Sequence, residues 1–598
     1  MAESKRSMTV EQSAAPEGSG AQKLSGTDAI TQSLQSAGIE VVFGSMGGAA
    51  MHLVESVAHS PLKMLSARTE LSSAWMSYGY NRIKRRAASV CLAHCVGAVH
   101  ASPVAYAAKA DSTPFFMIGF NLDSALDMRE ALQDAQDVYA VFKPLTKYIR
   151  RVVTPDDLPL AIRQSVVAAS TGRAGASMID LAAQVMHGST SCRIEPLKLA
   201  EPPGAAERTL EEVLRLIKAA KSPVIVAGAG VAMAGGAEAL QKFAEATGIP
   251  VVSTSWGGRG LLADDHPLYA GALGSFGWIS ANQTAQDADL WIAIGTTFSQ
   301  MSTAAWSLRR PEQVIHVDID AAQIGKLFEP TLGIVADARV VLEQLLGQAK
   351  AKGLKAADPN GPRLSALKVA KENWKQRARE IEQDEAKPLN QYSIIRKMSE
   401  ELPEGTIVIG DSGGNAFMLY RAFQYRVSTP MAMGSRYMSL GCSLPAAIGA
   451  KLAAPERTVV SYHGDGGFYY DLAELSTLAE HNLKVIVIID NNGALSANRS
   501  VQLLMGYKEV WVNLPRMDFA AMAQTFGVPA ERVTEPEDIV PALRRALAAE
   551  GPYLIDMVTD PDMRMKRAVK DVIPLLSDRK PKTGPHWSPP LEESWPKR

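Results

Sequence analysis

Two short stretches stand out for the chemistry their side chains could do together. His463-Gly464-Asp465-Gly466-Gly467-Phe468 follows the apolar run Val459-Val460-Ser461-Tyr462 and precedes a helical pattern over 472–479. Glycines let a backbone approach phosphate oxygens closely, and the N-terminus of the following helix adds N–H donors and a favourable dipole. This turn predicts a diphosphate site. The carboxylate of Asp465 adds the hard oxygen ligand that a divalent cation on a diphosphate needs. Twenty-seven positions on comes Asn492, in Asp490-Asn491-Asn492-Gly493 at the end of the apolar run 485–489. Adjacent parallel strands ending at one sheet edge bring Asp465 and the Asn492 amide together, in the crevice where open α/β sheets bind ligands. Either stretch alone passes for an ordinary turn; the pair is the signal.

The elements that must hold these residues are legible in the rest of the chain. Over 27–185 helical patterns alternate with the apolar strands Val41-Val42-Phe43, Ser89-Val90-Cys91-Leu92, Phe115-Phe116-Met117-Ile118 and Ser177-Met178-Ile179-Asp180. That rhythm means a parallel sheet flanked by helices. It restarts after a polar stretch with Pro223-Val224-Ile225-Val226-Ala227, Pro250-Val251-Val252, Leu290-Trp291-Ile292-Ala293-Ile294 and Val314-Ile315-His316-Val317-Asp318. A charged, helix-prone linker over 350–387 precedes a third unit with Ile407-Val408-Ile409, the runs before Asp465 and Asn492, and Tyr553-Leu554-Ile555-Asp556. The expected fold class is α/β, three doubly wound parallel-sheet domains at 25–190, 205–350 and 385–565. A loose tail is expected at 1–24, and a second over 566–598, with Trp587 and Trp595, that either stays free or folds over a neighbouring surface as a lid.

Composition sets the outer bounds. The 598 residues are 46% hydrophobic and 21% charged, as in soluble globular proteins. Lys plus Arg number 62 against 63 Asp plus Glu, with no long basic block, which argues against nucleic acid as a partner. No run of about 18 apolar residues predicts a membrane span. The four cysteines, at 91, 95, 192 and 442, suit neither a disulfide framework nor a zinc site and read as reduced thiols in a cytoplasmic protein.

Gly-Asp-Gly followed by Asn-Asn at this distance, each behind an apolar strand, resembles the thiamine diphosphate and magnesium motif of thiamine-dependent enzymes. The resemblance makes Asp465, Asn492 and the backbone carbonyl of Ala494 the Mg²⁺ ligands, with Gly464, Gly466 and Gly467 against the diphosphate. It also makes the third domain the diphosphate-binding one. It asks the first, pyrimidine-binding, domain for a glutamate on a ring nitrogen of the coenzyme. Arg68-Thr69-Glu70-Leu71, ahead of a helix ending Tyr78-Gly79-Tyr80-Asn81-Arg82, is similar to that segment, so Glu70 takes the role, with a pKa expected to be poised rather than low. Ser439-Leu440-Gly441-Cys442-Ser443-Leu444-Pro445 resembles the family's Gly-rich loop, which puts Leu440 beneath the coenzyme as the residue that bends it. Gly414 and Asn415, in Asp411-Ser412-Gly413-Gly414-Asn415, align with diphosphate contacts.

The middle domain resembles the acetolactate synthase and pyruvate oxidase branch through Asp264-Asp265-His266-Pro267-Leu268, Ala293-Ile294-Gly295-Thr296 and His316-Val317-Asp318-Ile319-Asp320. Some members bind FAD there and others ADP or part of coenzyme A. Gly295-Thr296-Thr297-Phe298-Ser299 lacks the Arg and Asp that flavin-binding relatives carry, which speaks against FAD. Departures elsewhere bear on substrate. His94-Cys95-Val96-Gly97-Ala98-Val99-His100 replaces a Thr-Ser-Gly-Pro-Gly-Ala-Thr-Asn segment, so His94 and His100 become candidate catalytic groups, with satisfied structural histidines as the alternative. Met46 stands where Pro is usual, and Gln133 or Gln136 is the candidate for a substrate-facing glutamine. The resemblance implies 2-oxo acid decarboxylation with carboligation, on 2-oxo acid, aldehyde or acyl-CoA substrates. A 2-hydroxyacyl-CoA lyase and a cyclic-dione hydrolase are the enzymatic alternatives, and a non-catalytic binding protein is the alternative of another class. Because Glu70 and the diphosphate site lie on different domains, in this family on different subunits, a homodimer or homotetramer is expected.

Overall fold

A computed structural model of the chain describes residues 23–561, apart from 128, 134–137, 255–256, 355, 383–386 and 427–436. The expected tail and lid over 566–598, and Gln136, lie outside these residues. Three parallel sheets organise the chain. The first contains β1 (Val41–Gly44), β2 (Lys63–Ser66), β3 (Ser89–His94), β4 (Phe115–Asn121), β5 (Tyr148–Val152) and β6 (Ala176–Ala182), in the order β2-β1-β3-β4-β6-β5. The second contains β7 (Pro223–Ala227), β8 (Val251–Ser253), β9 (Tyr269–Ala272), β10 (Leu290–Ile294), β11 (Gln313–Asp318) and β12 (Leu332–Val335), in the order β9-β8-β7-β10-β11-β12. The third contains β13 (Ile407–Gly410), β14 (Val459–Gly464), β15 (Ile486–Asn491), β16 (Ala530–Val533) and β17 (Tyr553–Val558), in the order β13-β14-β15-β17-β16. Inner strands such as β4, β10 and β15 are buried along their whole length, because helices cover both faces of each sheet. Leu24, assigned to the tail by sequence, instead pairs with Thr190 in a two-residue ribbon, giving the first domain's start a backbone anchor.

Among the helices of the described residues are α1 (Glu70–Lys84), α2 (Cys95–His100), α3 (Pro362–Glu382), α4 (Gly414–Ala422), α5 (Ser443–Ala453) and α6 (Asp465–Asp471). Thr69 caps α1 by accepting the Ser72 N–H at 3.0 Å, which fixes where Glu70 enters the first turn. The helix is buried on nearly all sides, Ser72 to Arg82, since the first sheet covers one face and α5 of the third domain the other. Their crossing is close because a Cβ on Gly79 would strike the Ala446 carbonyl, and one on Gly449 the Met76 carbonyl. Ahead of α1, the Arg68 N–H donates to Glu474 at 2.9 Å and its guanidinium pairs with Glu480. The residues just before Glu70 are therefore tied to the third domain of the same chain.

Candidate active site

The acid predicted from sequence sits at the carboxyl edge of the first sheet, where the strand order turns back between β1 and β3. Ser45, directly after β1, donates to Glu70 Oε1 at 2.6 Å. His94 ends β3 and packs its ring against Gly47, and His100 ends α2 with Nδ1 3.7 Å from Glu70 Oε2. Gly97 is a glycine for a reason of space: a Cβ there would lie 2.5 Å from the Glu70 carboxyl carbon. Glu70, His94 and His100 thus come together. Burial raises the Glu70 pKa, but the bonds from Ser45 and its own backbone, with the pull of His100, more than offset it and hold the carboxyl below its ordinary value. The expectation of a poised glutamate is corrected for the chain by itself: a quarter of the side chain is open to solvent, so desolvation is incomplete. Burial lowers the pKa of His94, with Glu70 pulling it partly back, so this imidazole is neutral at pH 7.

The second half of the site forms at the carboxyl ends of β13, β14 and β15. Asp465 opens α6, 1% exposed, with Oδ1 accepting the Gly466 N–H at 2.7 Å and Oδ2 the Gly493 N–H at 2.5 Å. The spacing in the sequence is thereby closed in space. Asn492 Oδ1 accepts the Ala494 N–H at 3.0 Å, turning the chain so that residues 492–494 face Asp465. The available donors are a carboxylate, an amide oxygen and a carbonyl, an all-oxygen set suited to Mg²⁺ with phosphate oxygens and water completing its shell. Among the described residues no cluster of three His, Cys, Asp or Glu side chains suits a metal. Glycines keep the cradle open. A Cβ on Gly467 would collide with Asp411, and Asn415 Oδ1 lies 3.6 Å from where a Cβ of Gly464 would stand. Gly414 begins α4 behind Gly413, whose φ of 104° few other residues adopt. Leu440 is half-buried, beside Gly441, whose φ is 73° and which packs on Tyr470 of α6. These features fit a magnesium-bound diphosphate.

Gln133 is exposed with φ 62° on the loop after β4. Sequence reasoning passed over Ser45, though its place directly after β1, beside the β3 edge, is the available signal, and it read Asp411 only as part of a turn. A separate crevice of about 530 Å³ opens between the first and middle domains, where the second sheet's strand order reverses between β7 and β10. Gly230, Gly295, Asp318, Arg85, Arg173 and Arg339 are among its walls, and neither Glu70 nor Asp465 is. Phe298 is packed against Trp291 and Phe328 in the core of the middle domain.

Comparison with known proteins agrees with this geometry. Residues 24–141 match the family model for the N-terminal TPP binding domain of thiamine pyrophosphate enzymes. Residues 210–345 match the central domain of those enzymes, and 411–557 their C-terminal TPP binding domain. The chain is 31% identical over 562 residues to the probable acetolactate synthase large subunit of Methanocaldococcus jannaschii, covering 90% of this chain and 92% of that one. It is 31% identical over 572 residues to the acetolactate synthase large subunit of Corynebacterium glutamicum, covering 92% and 89%. Acetolactate synthase 1 of Zea mays is 31% identical over 559 residues, covering 89% and 85%.

Proposed function

Because the chain belongs to the thiamine pyrophosphate enzymes, we propose that it is a Mg²⁺-dependent member that decarboxylates a 2-oxo acid and joins the remaining fragment to a second carbonyl compound. The observation that carries the reading is the pairing of two half-sites: Glu70 beside two imidazoles on one sheet edge, and Asp465 against the 492–494 turn on another. When bound, thiamine diphosphate supplies a nucleophilic carbon that adds to a carbonyl and accepts the electron pair released when carbon dioxide leaves. The chain's residues do the rest. Asp465, Asn492 and the Ala494 carbonyl hold the cation; Gly414, Asn415, Gly464, Gly466 and Gly467 admit the diphosphate; Leu440 supports the coenzyme between its ends. Glu70 holds a proton on the ring nitrogen of the aminopyrimidine, steadied by Ser45. Neutral His94 is suited to take or give a proton at the substrate oxygen, and His100 to adjust the charge at Glu70.

Two half-sites on different domains call for a second copy of the chain. Met46, Met51, Val96 and Val99 around Glu70, and Met505, Tyr507, Val510 and Trp511 after the 492–494 turn, are exposed apolar side chains, Trp511 at 94%. Apolar surface of this extent beside a half-site suits a homodimer or homotetramer interface. The test of the reaction is a substrate panel. Protein loaded with Mg²⁺ and thiamine diphosphate is mixed with 2-oxo acids, 2-hydroxyacyl-CoA thioesters and cyclic diones. Carbon dioxide release and a ligated product from the first group are expected; turnover confined to thioesters or diones replaces the proposal with a lyase or a hydrolase.

A further inference from the structure

Under the glycine turns of the third sheet lies a buried polar cluster that the proposed reaction does not use. Asp411 follows β13, His463 lies within β14 and Asp471 ends α6, and each is at most 3% exposed. Asp411 Oδ1 accepts the Cys442 N–H at 3.0 Å, and Oδ2 accepts the Gly441 N–H at 3.3 Å while lying against Gly467. The neighbouring Ser412 hydroxyl donates to the Met438 carbonyl at 2.7 Å. The two residues therefore grip the chain on both sides of Leu440. Asp471 Oδ2 extends the grip by accepting the Leu444 N–H at 3.2 Å.

The imidazole of His463 stands behind both acids. Its Nδ1 is 4.0 Å from Asp411 and 3.8 Å from Asp471. Its Nε2 meets the Ser461 hydroxyl at 2.6 Å, Ser461 meets Ser443 at 2.8 Å, and Ser443 donates to the Ile409 carbonyl at 2.7 Å. With the Ser443 proton committed to Ile409, Ser461 donates to Ser443, so Nε2 donates to Ser461 and Nδ1 faces the two acids without the ring proton. Burying two acids together costs stability that apolar packing would not. Here both converge on residues 438–444 and on the diphosphate turn, the two pieces whose spacing a coenzyme would have to match.

We propose that Asp411 is a positioning residue, tying the turn that carries Leu440 to Gly467 of the diphosphate turn so that the two supports keep one spacing. This rests on the reading of Leu440 and Gly467 as coenzyme contacts. The test uses the full chain with MgCl₂ and thiamine diphosphate and needs no substrate. Asp411→Ala, Ser412→Ala and Leu440→Ala are compared with the parent for coenzyme Kd by calorimetry and for hydrogen–deuterium exchange at the coenzyme's reactive carbon by quenched NMR. Asp411→Ala is expected to slow exchange at least about 10-fold while Kd moves less than about 3-fold, the mark of misplacement rather than lost binding. Asp411→Ala combined with Leu440→Ala should be no slower than the slower single variant. Exchange at the parent rate in folded Asp411→Ala, or a loss confined to Kd, overturns the inference. If Asp411→Ala does not fold, the isosteric Asp411→Asn is read in the same way, and failure of both to fold also overturns it. Failure of the parent to bind thiamine diphosphate counts instead against the proposed function.

Discussion

Glu70 accepts from Ser45, faces His100 and keeps one side open to solvent. Replacing it with Gln preserves shape but removes the acid. Turnover is expected to fall by about 10²- to 10⁴-fold, the usual worth of a positioned acid–base group, with coenzyme Kd little changed. Unchanged turnover rules out the role. The same carboxyl sets a pH dependence of binding. In the free chain its pKa is below the ordinary value, and covering its open side with an aromatic ring adds burial, which raises it. The bound form then holds more proton than the free form. Coenzyme affinity is therefore highest below the free-state pKa, falls as pH rises through the window up to the bound-state pKa, and levels off above it. Calorimetry across pH should show this fall in the parent and its absence in Glu70→Gln.

At the scale of elements, the contact of α1 with α5 carries the acid-bearing helix on the third domain. Gly79→Ala places a methyl group against the Ala446 carbonyl, backbone that has no rotamer to yield, so α1 must lift from α5. Overpacking of this kind costs about 1–3 kcal/mol, to be read as a lower urea midpoint at unchanged slope. A midpoint equal to the parent's contradicts the contact. Elements also show which parts of the fold were readable. The inner strands announce themselves as apolar runs because helices bury both their faces. The strands that escaped notice, β2, β5, β9, β12 and β16, all lie at sheet edges. Lys63–Ser66 and Leu332–Val335, for instance, bury one residue each and so carry no run to read. Asp465 was legible because a glycine turn and an acid follow a buried strand, and Glu70 because its segment resembles that of a known family. Ser45 and Asp411 were not, since a lone Ser or Asp after a strand looks the same whether or not it holds a partner.

The whole chain links its domains through buried polar contacts as well as helix packing. Arg259, fully buried, pairs with Asp264 at 2.5 and 3.0 Å and donates to the Tyr420 and Phe423 carbonyls of the third domain. Its guanidinium lies over the rings of Trp278 and Tyr425, at 5.3 and 5.0 Å. Such contacts fix the middle domain on the third, as Arg68 fixes the first. Mixing then offers a test of assembly. Glu70→Gln and Asp465→Asn chains are each expected to be inactive, and re-assorting them by mild dissociation should restore about a quarter of parental activity, since half the dimers are mixed and each mixed dimer has one intact site. No recovery means that one chain supplies both halves by itself.

Read alone, the amino-acid order determined the three α/β units and the Gly-Asp-Gly and Asn-Asn pair, because strand burial and turn chemistry are local and leave their mark in neighbouring residues, and a family resemblance pointed to Glu70. Tertiary structure decided the environment of each: that Ser45 and His100 hold Glu70 below its ordinary pKa, and that Asp411 accepts from the turn beside Leu440. Those outcomes depend on side chains brought together from distant positions, where distance, burial and hydrogen-bond geometry act and linear spacing carries no record of them.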